Sequence, residues 1–140
     1  MTQIRRAPVR LFAAASLAAL AACSSSKPDA PPAAAPVPVE QVREQVRQFG
    51  MGGAEKDAAG EKFYEWGAAA HLALIQLARD PSVTDDEIDV IMFIAATNAH
   101  TPALFAALRE RIGAMPDPGA RDMRLGLLAQ YEAMPAAATP

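Results

Sequence analysis

From about residue 40 onward, apolar residues recur with the 3.6-residue period of an α-helix, and no stretch reads convincingly as a strand. Five helical patterns follow one another. The first is Val42, Val46 and Phe49 at spacing i, i+4, i+7, with Arg43, Glu44 and Arg47 on other faces. It ends at Gly50, and Gly52-Gly53 marks a loop. The second is predicted over 57–79, with Phe63, Trp66, Gly67, Ala70, Leu74, Leu77 and Ala78 as one continuous stripe. Asp80-Pro81 stops it, because the residue before a proline avoids the α region.

The third pattern opens on Thr84-Asp85-Asp86-Glu87, a capping box in which a Thr N-cap has Glu three residues on. From Ile88 to Ala96 it is apolar almost all round, so it needs cover on several sides and belongs at the centre of the domain. The fourth begins at Thr101-Pro102, with Leu104, Leu108 and Ile112 as its stripe and Phe105 beside them. The fifth begins at Asp117-Pro118. Ala120, Met123, Leu127, Tyr131 and Met134 are predicted to face inward, and Arg121, Asp122 and Arg124 to face water. The expectation is an all-α fold, a small bundle of about five helices over residues 40–134.

One internal echo stands out. Residues 73–78 (ALIQLA) and 103–108 (ALFAAL) lie thirty positions apart, each leading through an Asp-Pro turn into another helix. This loosely resembles two HEAT-type helical hairpins, which would make the bundle a short stack.

The 140 residues are 51% hydrophobic, 21% charged and 6% aromatic, which suits one modest core. A single cysteine excludes a disulfide scaffold. The net charge is −3, from 13 basic and 16 acidic residues. Setting aside Arg5, Arg6 and Arg10, in a segment expected to be removed, leaves 10 against 16, or −6. An acidic domain without a basic stripe cannot neutralise a phosphate backbone, so nucleic-acid binding is not expected.

The first 23 residues have the form of a secretory leader. Arg5, Arg6 and Arg10 give a positive start, and residues 11–22 form an uncharged, mostly apolar run. Twelve residues of helix rise about 18 Å, short of the roughly 30 Å hydrocarbon core. Then comes Leu20-Ala21-Ala22-Cys23. This resembles the lipobox of bacterial lipoproteins. The resemblance implies that a diacylglyceryl group is attached to the Cys23 sulfur, that residues 1–22 are cut away, and that the new amino terminus is acylated in turn. A thiolate is the chain's best nucleophile for such an alkylation, and two or more acyl chains give stable membrane anchoring where one does not. Ala19-Leu20-Ala21 also fits ordinary secretory cleavage, which would leave a lone reactive thiol in an oxidising compartment. In lipoproteins of this kind an Asp after the Cys commonly signals inner-membrane retention. Ser24 in its place points to the outer membrane, facing the periplasm.

Residues 24–39 contain Pro28, Pro31, Pro32, Pro36 and Pro38 and are expected to be extended and unpacked, a spacer reaching up to roughly 50 Å. The 135–140 tail is of similar composition.

Groups able to do chemistry are few. In the helical part the only serine is Ser82, without the glycine elbow of a nucleophile. His71 sits mid-pattern and His100 precedes an N-cap, with no HExxH and no Cys ligands, so no metal site or cofactor is expected. Asp85, Asp86, Glu87 and Asp89 are the densest acid cluster, but they lack EF-hand spacing and suit a helix first turn. Gly50-Met51-Gly52-Gly53 has no following Lys-Ser/Thr and is not a phosphate loop. Tyr64 and Trp66 are close enough in sequence that one should face outward.

The expected function is therefore a membrane-anchored, non-catalytic adaptor that binds an envelope protein or peptide in a groove between helices. Its size and all-α pattern resemble secretin pilotins, helical lipoproteins that escort a channel subunit to the outer membrane. Two other readings remain: an enzyme or accessory acting on cell wall or lipid through carboxylates such as Glu61, Glu65 or the acids of the third pattern (Asp85, Asp86, Glu87 and Asp89), and a purely structural lipoprotein.

Overall fold

The computed structural model describes residues 34–135. They form six α-helices and one 3-10 turn: α1 (Val39–Met51), α2 (Gly53–Trp66), the turn (Gly67–Ala70), α3 (His71–Arg79), α4 (Asp85–Thr97), α5 (Pro102–Gly113) and α6 (Pro118–Ala133). Among the described residues there is no strand, so the fold is all-α, as the periodicity requires.

The five patterns are all present, and the second is broken. Gly67 takes φ 46° and ψ −126°, a conformation L side chains avoid, and ends α2. A 3-10 turn of small residues follows, and α3 starts only at His71. The apolar spacing from Phe63 to Ala78 keeps its helical phase through the break, which hides it from a periodicity argument. The glycine pair also acts differently from expectation. Only Gly52, at φ 83°, separates α1 from α2, so the expected loop is a single residue and α2 begins at Gly53.

The 3-10 turn has a second consequence. The Ala69 carbonyl accepts the Val37 N–H at 3.0 Å, and Val37 and Val39 pack against the core. Residues 34–38 are without helix or strand, as the prolines dictate, but the segment is pinned at Val37 rather than unpacked throughout.

The caps of the last three helices are those read from the sequence. Thr84 Oγ1 accepts the Glu87 N–H while the Glu87 carboxylate accepts the Thr84 N–H, closing the capping box. Thr101 and Asp117 cap α5 and α6, each with proline at the first helical position. The central helix is α4. Ile88, Ile91, Met92 and Ile94 are fully buried, each stabilising the fold by about 1.5–3 kcal/mol relative to exposure.

The echo has a structural counterpart. Its two copies fall on α3 and α5, which pack against each other, and α4 packs against α6. The α3–α4 and α5–α6 hairpins therefore lie side by side, and α1 covers α3 and α4 from the other side.

On α6 the expected inward face is right at Tyr131 and wrong at Met123, Leu127 and Met134. Leu128 is the buried residue, with Leu125 and Tyr131 packed beside it, while Met123 is 67% exposed and Leu127 and Met134 are exposed too. Arg124, expected in water, lies largely covered against α4, its guanidinium bonded to Asp89 at 2.7 and 2.8 Å. The inward stripe is thus Leu125, Leu128 and Tyr131, and the Arg124–Asp89 pair joins α6 to α4 beside it.

Candidate functional site

The polar centre of the domain is Glu87, the one charged residue buried among the described ones. Its carboxylate accepts Arg43 Nε at 3.1 Å, Arg43 Nη2 at 3.2 Å, Arg47 Nε at 2.8 Å and the Thr84 N–H at 2.8 Å. Burial alone would push this carboxyl up, but the hydrogen bonds from Arg43, Thr84 and Arg47 outweigh it and hold the pKa down at about 2. Arg43 also donates to the Ser82 hydroxyl at 3.0 Å and the Ser82 carbonyl at 2.8 Å, and Arg111 on α5 donates to the Val83 carbonyl at 2.9 Å. The α3–α4 loop is thus held from α1 and α5 together. Hydrogen bonds from Ser82 keep the neighbouring Asp80 carboxyl low.

The acid cluster of the α4 first turn is accordingly built into the fold. Glu87 is consumed by the cap and two arginines, and Asp89 and Asp85 face Arg124, the latter at 3.9 Å. Ser82 serves as an arginine partner. Among the described residues no group of three or more His, Cys, Asp or Glu side chains could hold a metal ion.

The histidines are not brought together with a carboxylate. His71 opens α3 rather than sitting mid-helix, and burial lowers its pKa, with a contact to the Asn98 backbone working the other way. Its Nε2 is buried without a partner, as is that of His100, whose ring lies 4.8 Å from that of Phe105.

Of the two neighbouring aromatics, Tyr64 faces outward at 64% exposure, while Trp66 is half-buried, edge-on to Phe63. Tyr64, Glu61 and Glu65 line an open groove of about 530 Å³ with Gly60 and with Asn98 at the end of α4. A second groove of about 420 Å³ runs between α1 and α4, past Val46, Met51 and Val90. Near it the Phe49 and Phe93 rings meet at a tilt, 5.6 Å between centroids, with the Lys56 ammonium over both.

Leu20, Ala21, Ala22 and Cys23, and most of the proline-rich spacer, lie outside the described residues, as do residues 136–140. No described helix is long and apolar enough to cross a membrane. Comparison of the chain with protein-family models, with curated proteins and with solved structures gives no match.

Sequence reasoning missed the grip of Arg43 and Arg47 on Glu87. Spacing signals the Thr84–Glu87 box because it is local, whereas Arg43 and Glu87 are 44 positions apart. The one available signal was the pair of arginines a turn apart on α1, beside its apolar stripe.

Proposed function

We propose that the protein is a lipid-anchored component of a bacterial envelope, attached to the outer membrane through Cys23, whose helical domain is a non-catalytic module that binds another envelope protein. The observation that carries this reading is the leader followed by Leu20-Ala21-Ala22-Cys23, with the sole cysteine of the chain at the modification point. A proline-rich spacer behind it gives an anchored domain reach.

The domain's polar groups support the non-catalytic part. Glu87, Asp85, Asp89 and Ser82 are engaged in cap and arginine contacts that position helices. Exposed Met51, Tyr64, Met123 and Met134 supply the apolar and aromatic contact area that partner surfaces use.

The test is a Cys23→Ser variant expressed with its own leader. The wild type is expected in the membrane fraction with added acyl mass, and the variant is expected to lose both. A variant that stays in the membrane fraction, with a mass differing from wild type only by the substitution, would overturn the anchor.

A further inference from the structure

The geometry points to the outer face of α2, with the end of α4, as the docking surface for a partner segment that inserts a Lys or Arg side chain beside Glu61 and Tyr64. This rests on the adaptor reading above and names the chemistry of its partner.

Helix α2 lies at the N-terminal side of the bundle and turns most of its surface outward. Only Ala59 and Phe63 are buried, and it packs chiefly on α1 and the 3-10 turn. Its opposite face carries Asp57, Glu61, Tyr64 and Glu65 at i, i+4, i+7 and i+8, all exposed, with the small side chain of Ala58 at its edge beside Glu61 and Glu65. Gly60 leaves this wall of the groove low, and Asn98 forms the other wall.

The charge of the groove is one-sided. Glu65 is paired with Lys62 at 2.7 Å, but Glu61 and Asp57 have no ion pair among the described residues. The other cations of the α1–α2 hairpin are occupied elsewhere: Arg43 and Arg47 at Glu87, Lys56 over the Phe49 and Phe93 rings. Asn98 is the C-cap of α4, whose last turn contains no basic residue, so the negative end of that helix dipole is left without a counter-charge of its own. A cation entering the groove is flanked by Glu61, unpaired among the described residues, by the exposed Tyr64 and by Asn98 at the C-terminal end of α4. An acidic segment or an anionic lipid surface meets the same field as repulsion.

The experiment uses the full chain with a photo-crosslinking amino acid at Ala58, on this face, and separately at Met123, on α6. Crosslinking is done in gently solubilised envelopes, and the captured peptide is sequenced. The expected result is capture from position 58 of a segment carrying Lys or Arg. Its yield should fall about tenfold when Glu61→Gln and Tyr64→Leu are combined, and should also fall with added salt. Thermal melting of the variants checks that the fold is retained. Capture of a segment without a basic residue, or a yield indifferent to Glu61→Gln and to salt, would overturn the proposal. Capture from position 123 alone would remove this surface and leave the adaptor reading standing. Capture from neither position would remove both.

Discussion

Arg43 on α1 grips Glu87 on α4 with two hydrogen bonds, Nε to Oε1 at 3.1 Å and Nη2 to Oε2 at 3.2 Å, and the same carboxylate closes the α4 capping box. One side chain therefore starts a helix and fixes where the N-terminal hairpin lies on it. Glu87→Ala removes the acceptor of the Thr84 N–H and the partner of two part-exposed arginines, so it is expected to cost about 1–3 kcal/mol in urea unfolding. Glu87→Leu combined with Arg43→Met is expected to recover part of that loss, because apolar contact replaces the Arg43–Glu87 pair while only Arg47 and the Thr84 N–H lose their carboxylate. A double variant no more stable than Glu87→Ala alone would show that the pair acts mainly through the cap.

The same carboxyl sets an acid limit on stability. Its pKa is about 2 in the folded protein, against 4.5 for an ordinary glutamate. The unfolded chain binds the proton more tightly, so protonation favours unfolding. The contribution is complete above about pH 5 and is lost as pH falls from 4.5 toward 2. Denaturation midpoints measured across this range should fall for wild type and change less for Glu87→Gln.

His71 is expected to act in a separate window. Burial depresses its pKa below the ordinary 6.5, so here too the unfolded chain holds the proton more tightly. Stability from the neutral ring is present above pH 6.5 and declines as pH drops below it. The Asn98 backbone contact only partly offsets a charge on the ring, because Nε2 is buried without a partner. His71→Gln should flatten the stability profile between pH 7 and the onset of the Glu87 transition, which midpoints in chemical denaturant would reveal.

Local features were legible in the sequence, and features set by remote partners were not. Thr84, Thr101 and Asp117 cap their helices as their spacing predicts, and α4 is central because it has almost no polar face. That one of Tyr64 and Trp66 faces outward followed from their spacing, but that it is Tyr64 did not. The break at Gly67 was not legible, because its flanking apolar residues stay in phase. The pinning of Val37 depends on a carbonyl that only the broken helix frees. Of the groove beside Tyr64, the sequence offered Glu61 and Glu65 as neighbouring carboxylates. It gave no means of placing Asn98, more than thirty residues away, as the opposite wall.

Gly67→Ala tests that break directly. Nothing lies within 4 Å of an added Cβ, so space is not the obstacle, but φ 46° is. The substitution is expected to cost about 1–3 kcal/mol through backbone strain alone. A stability equal to wild type would mean that α2 and α3 can join by another route.

The facing of α6 is decided by a pair of truncations. Leu128 is 1% exposed and Met123 is 67% exposed, although the spacing of Met123, Leu127, Tyr131 and Met134 makes the opposite assignment attractive. Leu128→Ala should leave a cavity against the core and lower stability by about 2–5 kcal/mol. Met123→Ala removes a side chain already in water and should shift it by less than about 0.5 kcal/mol. Arg124 makes the contrast sharper. Its bond to Asp89 fixes α6 against α4, so Arg124→Ala should weaken the same interface through both lost packing and an unpaired acid, by about 1 kcal/mol because Asp89 is half in water. Equilibrium unfolding of the three variants should rank them Leu128→Ala, Arg124→Ala, Met123→Ala from most to least destabilised. A large loss for Met123→Ala with a small one for Leu128→Ala would place the other stripe of α6 against the core.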